Sequence, residues 1–328
     1  MTLADRARTL YPATSGSAVL LVAVLFSIFA LGESARGSRA PQAPIKVSTT
    51  LVVLPVKVTD SQGQFVSGLK PENFRVFEDD LEQQINLFKQ EDAPVTVGLV
   101  VDHSRSMRPK LPAVAFAVDA FAHSSNPDDE MFVVDFNENV SVELMGGNSF
   151  THSSSELQKA LYAVSADGQT ALYDAVIEAL THINLGHWEK KAIIVVSDGG
   201  DNASRAQFSD LLALAQRSHV LVYCIGLVDQ SGEEENPKIL QKLSRATGGT
   251  AYFTKRSDQA ATLMNQIARD LREQYTLGYT PPKDGRDSFR KITVRVSRSN
   301  GPKLRVSTRP GYFAGDPVAS GASSAKPQ

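Results

Sequence analysis

The sequence predicts an α/β fold: a doubly wound, mainly parallel sheet with helices on both faces, plus a small β-sandwich built from the flanking N- and C-terminal strands. Three observations predict it. Four nearly continuous apolar runs, rich in β-branched residues, recur through the middle of the 328-residue chain, as expected of strands buried on both faces. Segments of helical spacing separate them, the alternation that builds a parallel sheet. Before and after this block the pattern changes to short apolar–polar alternation, the mark of strands with one buried face.

In chain order, the N-terminus comes first. Arg6 and Arg8 precede an uncharged apolar stretch from Ala18 to Leu31. At about 14 residues it is short for a membrane-spanning helix and suits the hydrophobic region of an export signal. Small residues follow at Gly32–Ser34 and Ala35–Gly37, and the absence of a nearby cysteine rules out a lipoprotein anchor. The expectation is an exported protein, periplasmic or extracellular. It is either released after signal cleavage or tethered to the inner membrane by residues 18–31, with the arginines on the cytoplasmic side. Membrane contact is expected through this segment alone, so residues 1–40 read as signal or anchor with linker.

Residues 45–92 hold the first alternating segments: Val52–Val58, Phe74–Glu78 and Gln84–Phe88, with turns at Asp60–Gly63 and Asp79–Asp80. They are too few to stand alone. Residues 93–273 carry the α/β pattern. Its strands are Val95–Val101, Met131–Val134, Ala192–Val196 and Val220–Leu227. Its helices are Leu111–His123, Glu156–Val164, Ala171–Ile183, Ser209–Arg217, one opened by Pro237 with Asn236 as N-cap, and Asp258–Glu273. In residues 274–314 the segments Tyr275–Tyr279, Arg290–Val296 and Lys303–Val306 alternate again. Each flanking half alone has exposed edges, so the two are expected to pair into one sandwich interrupted by the α/β block. Residues 315–328, rich in Ser, Ala, Gly and Pro, read as a disordered tail.

Composition excludes several classes. A net charge of −2 and a pI near 6.3 leave no electrostatic footprint for nucleic acid. The single cysteine, Cys224, precludes an internal disulfide and a cysteine-based zinc site, and its apolar surroundings predict a small buried side chain. No Gly-x-Gly-x-x-Gly follows a strand and no Gly-Lys-Ser/Thr loop occurs, so dinucleotide and nucleoside triphosphate cofactors lack support.

Three loops carry the chemistry. Asp102-His103-Ser104-Arg105-Ser106 follows the first buried strand, where an open α/β sheet binds its ligands. One carboxylate and two hydroxyls at alternating positions present oxygens to one side of a turning backbone. Hard cations such as Mg²⁺ take oxygen ligands in octahedral geometry and keep several waters. Gly168-Gln169-Thr170 places a hydroxyl at the start of a helix, and Ser197-Asp198-Gly199 a carboxylate at the end of another buried strand.

Asp-x-Ser-x-Ser after a hydrophobic strand, a downstream Gly-x-Thr turn and a later Ser-Asp-Gly after another strand resemble the von Willebrand factor A domain over roughly residues 93–273. The resemblance implies a Rossmann-like fold and a metal-ion-dependent adhesion site. Ser104 and Ser106 would bind the ion through their hydroxyls, Thr170 directly or through water, and Asp102 and Asp198 largely through water. Mg²⁺ is the implied ion, with Mn²⁺ or Ca²⁺ as alternatives. The open coordination position would receive an Asp or Glu carboxylate of a protein partner. The flanking segments Gly68–Phe74 and Arg309–Phe313 resemble, more loosely, the VWFA-related acidobacterial-type subfamily. The chain departs from the family pattern at His103 and Arg105, which are expected to add positive charge at the rim of the site.

Other readings stay open. A metal-dependent hydrolase could use the same ion to activate water, but no second cluster of His or carboxylate ligands is visible; a scaffold with a vestigial metal site is the third. Asp102-His103-Ser104 holds the letters of a triad, yet triad members must converge from separate elements, and no catalytic residue is expected. Asp135 ends a strand near the crevice and is a candidate to orient a metal ligand from behind, or a turn or cap residue. Asp201 and Asn202 are candidates to orient Asp198. The run Glu233–Glu235 reads as a solvated, helix-capping segment. Trp188 reads as an interface anchor or a ring packed under the adjacent strand.

Overall fold

The computed structural model describes residues 51–90, 92–142, 144, 147–228, 236–282, 288–298 and 303–314. The expected export segment Ala18–Leu31, the run Glu233–Glu235 and the tail from 315 lie outside the described residues. Among the described residues no helix is long and apolar enough to cross a membrane.

Among the described residues, strands β1 (Val52–Thr59), β2 (Phe74–Glu78), β3 (Leu81–Gln83) and β4 (Ile85–Lys89) come first. The α/β block follows with β5 (Val95–Asp102), α1 (Leu111–Ser124), β6 (Glu130–Phe136), β7 (Val140–Val142), α2 (Ser154–Ala163) and α3 (Leu172–His182). It continues with β8 (Lys190–Ser197), α4 (Phe208–Arg217), β9 (Leu221–Leu227), α5 (Pro237–Thr247), β10 (Ala251–Thr254) and α6 (Ala260–Arg272). Strands β11 (Tyr275–Tyr279), β12 (Phe289–Val296), β13 (Arg305–Ser307) and β14 (Gly311–Phe313) are the last of the described elements.

The central sheet has six strands in the order β10-β9-β8-β5-β6-β7. All neighbours run parallel except β7, which pairs antiparallel with β6. Every residue of β5, β6 and β9 is buried, which is why these strands read as continuous apolar runs. Helices α1 and α6 pack together, while α3, α4 and α5 pack in series, giving a layer on each face. Two strands of this sheet escape the sequence pattern. β7 is three half-buried residues, and β10 is a four-residue edge strand with one buried position; neither is long or apolar enough to signal. Helix ends agree with expectation to within two residues or so. Asn236 occupies the N-cap of α5, but its side chain makes no capping hydrogen bond, contrary to the predicted role.

The chain leaves β5 for β6 on one side and returns to β8 on the other. The strand order therefore reverses between β5 and β8, opening a crevice at their carboxyl ends.

The flanking strands do pair. One four-stranded sheet runs β13-β1-β11-β4 and the other β14-β12-β2-β3, so each draws strands from both sides of the α/β block. They share an apolar core in which the Phe74 ring lies 5.0 Å from that of Tyr275. Asp79 and Asp80, both with positive φ, make the two-residue hairpin between β2 and β3. Inside this core the carboxylate of Glu78 is buried. It accepts hydrogen bonds from Tyr279 Oη (2.5 Å), Tyr312 Oη (2.9 Å) and Arg290 Nη1 (2.8 Å), so one side chain joins β2, β11, β12 and β14. The sandwich is also tied to the α/β block. Lys57 Nζ of β1 meets Asp270 Oδ2 of α6 at 2.5 Å, and Arg309 Nη2 donates to Gln216 O of α4 at 2.6 Å.

Glu78→Ala would remove the carboxylate that Tyr279, Tyr312 and Arg290 share, an expected loss of about 3–5 kcal/mol in urea unfolding. A loss below about 1 kcal/mol would mean that the cluster does not hold the sandwich together. Lys190 gives a second expectation. Burial holds its ammonium down to about 8 from the ordinary 10.5, against the pull of Asp92 and Asp129. Between these two values the unfolded chain binds more protons than the folded one, so stability rises with pH across that window, by up to about 3 kcal/mol from this group. Unfolding of wild type and Lys190→Met at pH 7.5 and 9.5 checks this: the wild type should gain more stability on the move to the higher pH.

Candidate functional site at the β5–β8 crevice

Asp102 is the last residue of β5 and Ser197 the last of β8. Because the strands are neighbours, both side chains enter the same crevice. Ser197 Oγ donates to Asp102 Oδ2 at 2.6 Å, and the Ser104 N–H donates to Asp102 Oδ1 at 2.8 Å. The carboxyl group is fully buried, and desolvation pushes its pKa up to about 6 against the opposing pull of these hydrogen bonds; the negative charge of Asp198 adds to the rise.

The loop after β5 tightens into a single turn of 3₁₀ helix at Arg105–Met107. That turn brings Ser104 Oγ to 3.2 Å from Ser106 Oγ, and Ser106 Oγ donates to Asp198 Oδ2 at 2.7 Å. Ser104 and Asp198 are buried while Ser106 is exposed, so the cluster opens to solvent at Ser106. Gly199 holds the turn after Asp198: its φ is +88°, and a Cβ there would lie 2.8 Å from Asn236 O.

Thr170 joins from the loop before α3. Its N–H donates to Asn202 Oδ1 at 2.8 Å, and its carbonyl accepts the N–H groups of Asn202 and Ala203, each at 3.0 Å. The Arg105 N–H reaches Gly168 O at 3.4 Å. All three loops are thus stitched together. Thr170 is 6% exposed, and among the described residues its hydroxyl takes no hydrogen bond, which leaves that oxygen uncommitted.

The structure therefore links Asp102, Ser104, Ser106 and Asp198 by side-chain hydrogen bonds and clasps Thr170 beside them through its backbone. The set is made of oxygen donors alone, two of them carboxylates. Among the described residues no Lys, Arg or His side chain forms an ion pair with Asp102 or Asp198, so their charge is uncompensated. Such donors fit a hard divalent cation and would suit a soft or nitrogen-preferring metal poorly.

His103 corrects an expectation. It is fully buried and does not stand at the rim. Its ring nitrogens face Val101 O (Nδ1, 3.2 Å) and Leu161 O (Nε2, 3.0 Å), with Asp135 Oδ1 at 3.4 Å from Nδ1. The side chain of 103 turns inward beneath α2, so no Asp-His-Ser relay forms. Arg105 does stand at the rim, where Nε meets Asp167 Oδ1 at 3.1 Å. Asn202 clasps Thr170 rather than Asp198. Asp201 Oδ2 takes the Tyr173 N–H (2.9 Å) and Ser204 Oγ (2.6 Å) at the start of α3. Trp188 is half-buried, its indole N–H donating to Asp128 O at 2.9 Å, below the opposite end of β8. Cys224 is buried, and desolvation pushes its thiol well up.

Sequence reasoning left Ser197 and Asp167 without roles. The position of Ser197 at the end of a predicted buried strand was the available signal; Asp167 had none.

Fold and crevice together define an open-sheet, Rossmann-like α/β domain whose functional loops gather at the strand-order reversal. The model of the von Willebrand factor type A domain matches residues 96–267, and the chain belongs to that family. A von Willebrand factor type A protein from Catenulispora acidiphila is similar over 82% of this chain and 75% of its own, at 13% identity and a TM-score of 0.50. That likeness, one of fold, extends beyond residues 96–267. At lower TM-scores lie an aerotolerance-related membrane protein from Bacteroides fragilis NCTC 9343 (0.44; 16% identity; 53% of this chain, 98% of that one) and the pilus adhesin SpaC from Lactobacillus rhamnosus GG (0.46; 11% identity; 78% and 49%). No curated protein matches the chain.

Ser197→Ala removes the donor that holds Asp102 and the acceptor of the Gly199 N–H. The expected cost is about 1–3 kcal/mol in urea unfolding in the presence of EDTA; a variant as stable as wild type would show that the bond does not organise the crevice.

Proposed function

We propose that this protein binds a protein partner through a divalent cation held by Asp102, Ser104, Ser106, Thr170 and Asp198. The observation that carries the reading is the convergence of hydroxyl and carboxylate oxygens around two uncompensated acidic side chains, with the exposed edge at Ser106. Mg²⁺ fits this donor set best; Mn²⁺ and Ca²⁺ accept the same oxygens. Ser104, Ser106 and the uncommitted hydroxyl of Thr170 supply neutral ligands, while Asp102 and Asp198 supply charge. Neutral ligands leave the ion electrophilic, so an Asp or Glu carboxylate of the partner can complete its shell. Membership of the von Willebrand factor type A family supports binding over catalysis, and so does His103, whose ring nitrogens both face backbone carbonyls. Export to the periplasm or cell exterior, read from residues 18–31, completes the proposal.

Melting curves test it. Saturating Mg²⁺ at a hundredfold excess over Kd should add about 2.7 kcal/mol of stability, a rise of roughly 5 °C or more in Tm over the EDTA sample. Asp102→Asn should keep the fold, because a neutral amide suits the buried position, and should lose the Mg²⁺ response. Identical curves for wild type in Mg²⁺ and in EDTA would sink the proposal.

A further inference from the structure

The rim beside Ser106 carries more than one charge of the same sign. Arg105 stands between two of the proposed ligands, and its side chain is 77% exposed. Arg108 follows at the end of the 3₁₀ turn, 60% exposed, with Nη2 3.5 Å from Asp167 Oδ1 and Nε donating to Ala166 O at 2.7 Å. Both guanidinium groups converge on one oxygen, Asp167 Oδ1, which also accepts the Gly168 N–H at 2.9 Å. Two positive charges thus share a single carboxylate at the mouth. Among the described residues the terminal nitrogens of Arg105 make no hydrogen bond. The nearby acidic side chain of Glu138 is engaged elsewhere, accepting the Gln169 N–H at 2.9 Å. Exposed ion pairs of this kind are worth little and exchange readily, so the arginines are held in position yet free to take another acid. A guanidinium fork matches a carboxylate in bidentate fashion.

We propose that Arg105 and Arg108 read a second acidic group on the partner, next to the carboxylate that meets the cation. The site therefore selects a paired-acid segment over a lone Asp or Glu. This rests on the cation-bridge reading above and adds a selectivity that the cation alone cannot supply. Asp167 acts as the internal competitor: it occupies the arginines when no partner is present and is displaced when one arrives.

Two fluorescein-labelled decapeptides on a Gly/Ser scaffold test it, one with a single central Glu and one with Glu-Glu-Glu at the same place. Binding is read by fluorescence anisotropy in Mg²⁺ and in EDTA. In Mg²⁺ the tri-Glu peptide should bind about tenfold more tightly than the single-Glu peptide. The double variant Arg105→Ala/Arg108→Ala should abolish that advantage while leaving single-Glu binding unchanged. Asp167→Asn, which keeps the acceptor oxygen for Gly168 but removes the competing charge, should enlarge it. Raising the salt should shrink it, because the rim is exposed and screened. Equal affinity for the two peptides, or a preference that survives in the double variant, overturns the proposal and leaves the cation bridge standing. No Mg²⁺-dependent binding of either peptide overturns the cation bridge and the proposal with it.

Discussion

The hydrogen bond between Ser197 and Asp102 is the interaction on which the ligand-facing edge depends. It spans two strands that are distant in sequence and adjacent in the sheet, joining the loop after β5 to the loop after β8. Asp102 has no freedom left: both of its oxygens are engaged, and it sits in a dry environment that disfavours its charge. A carboxylate in that position is a strained electrostatic element, stable as a proton carrier or as the neighbour of a cation and poorly off as a bare anion. Ser104, Ser106 and Asp198 are placed relative to it, and Thr170 is clasped beside them by Asn202. The α/β sheet fixes where these groups meet.

The β-sandwich serves the same end from the other pole. β4 leads into β5 and α6 leads out to β11, and β4 and β11 pair with each other. Entry to and exit from the α/β block are therefore held side by side. Glu78 locks the sandwich internally, while Lys57–Asp270 and Arg309–Gln216 fasten it to α6 and α4. The two cores stay separate, and these two contacts across the junction are polar, as is common in interfaces between domains.

Much of this was legible in the sequence. Strands buried on both faces announce themselves by composition, so β5, β6, β8 and β9 were placed closely; alternation found β1, β2 and β11. The three loops of the site were legible because each follows or precedes such an element. What stayed hidden has a common cause. β3, β7, β10 and β14 are three or four residues long, and their existence is decided by a neighbour's edge rather than by their own pattern. The direction of the His103 side chain was misjudged because it depends on the packing of α2 over the loop, a contact made by Leu161 far along the chain. Asp167 gave no sign because its importance lies in two arginines reaching it from another loop. Side-chain networks of this sort are set by tertiary placement and leave no periodic trace.

The interrupted sandwich also dictates an order of assembly. β1 pairs with β11 and β13, and β2 with β12, so the first strands of the chain have no hydrogen-bonding partners for their main edges until nearly the whole chain is available. Contacts this distant in sequence form slowly, because the loop between them must be closed first. Prior collapse of the α/β block shortens that loop to the gap between β4 and β11. The block with the β5–β8 crevice is in this sense the scaffold for its own pedestal, and the two halves of the pedestal wait on it.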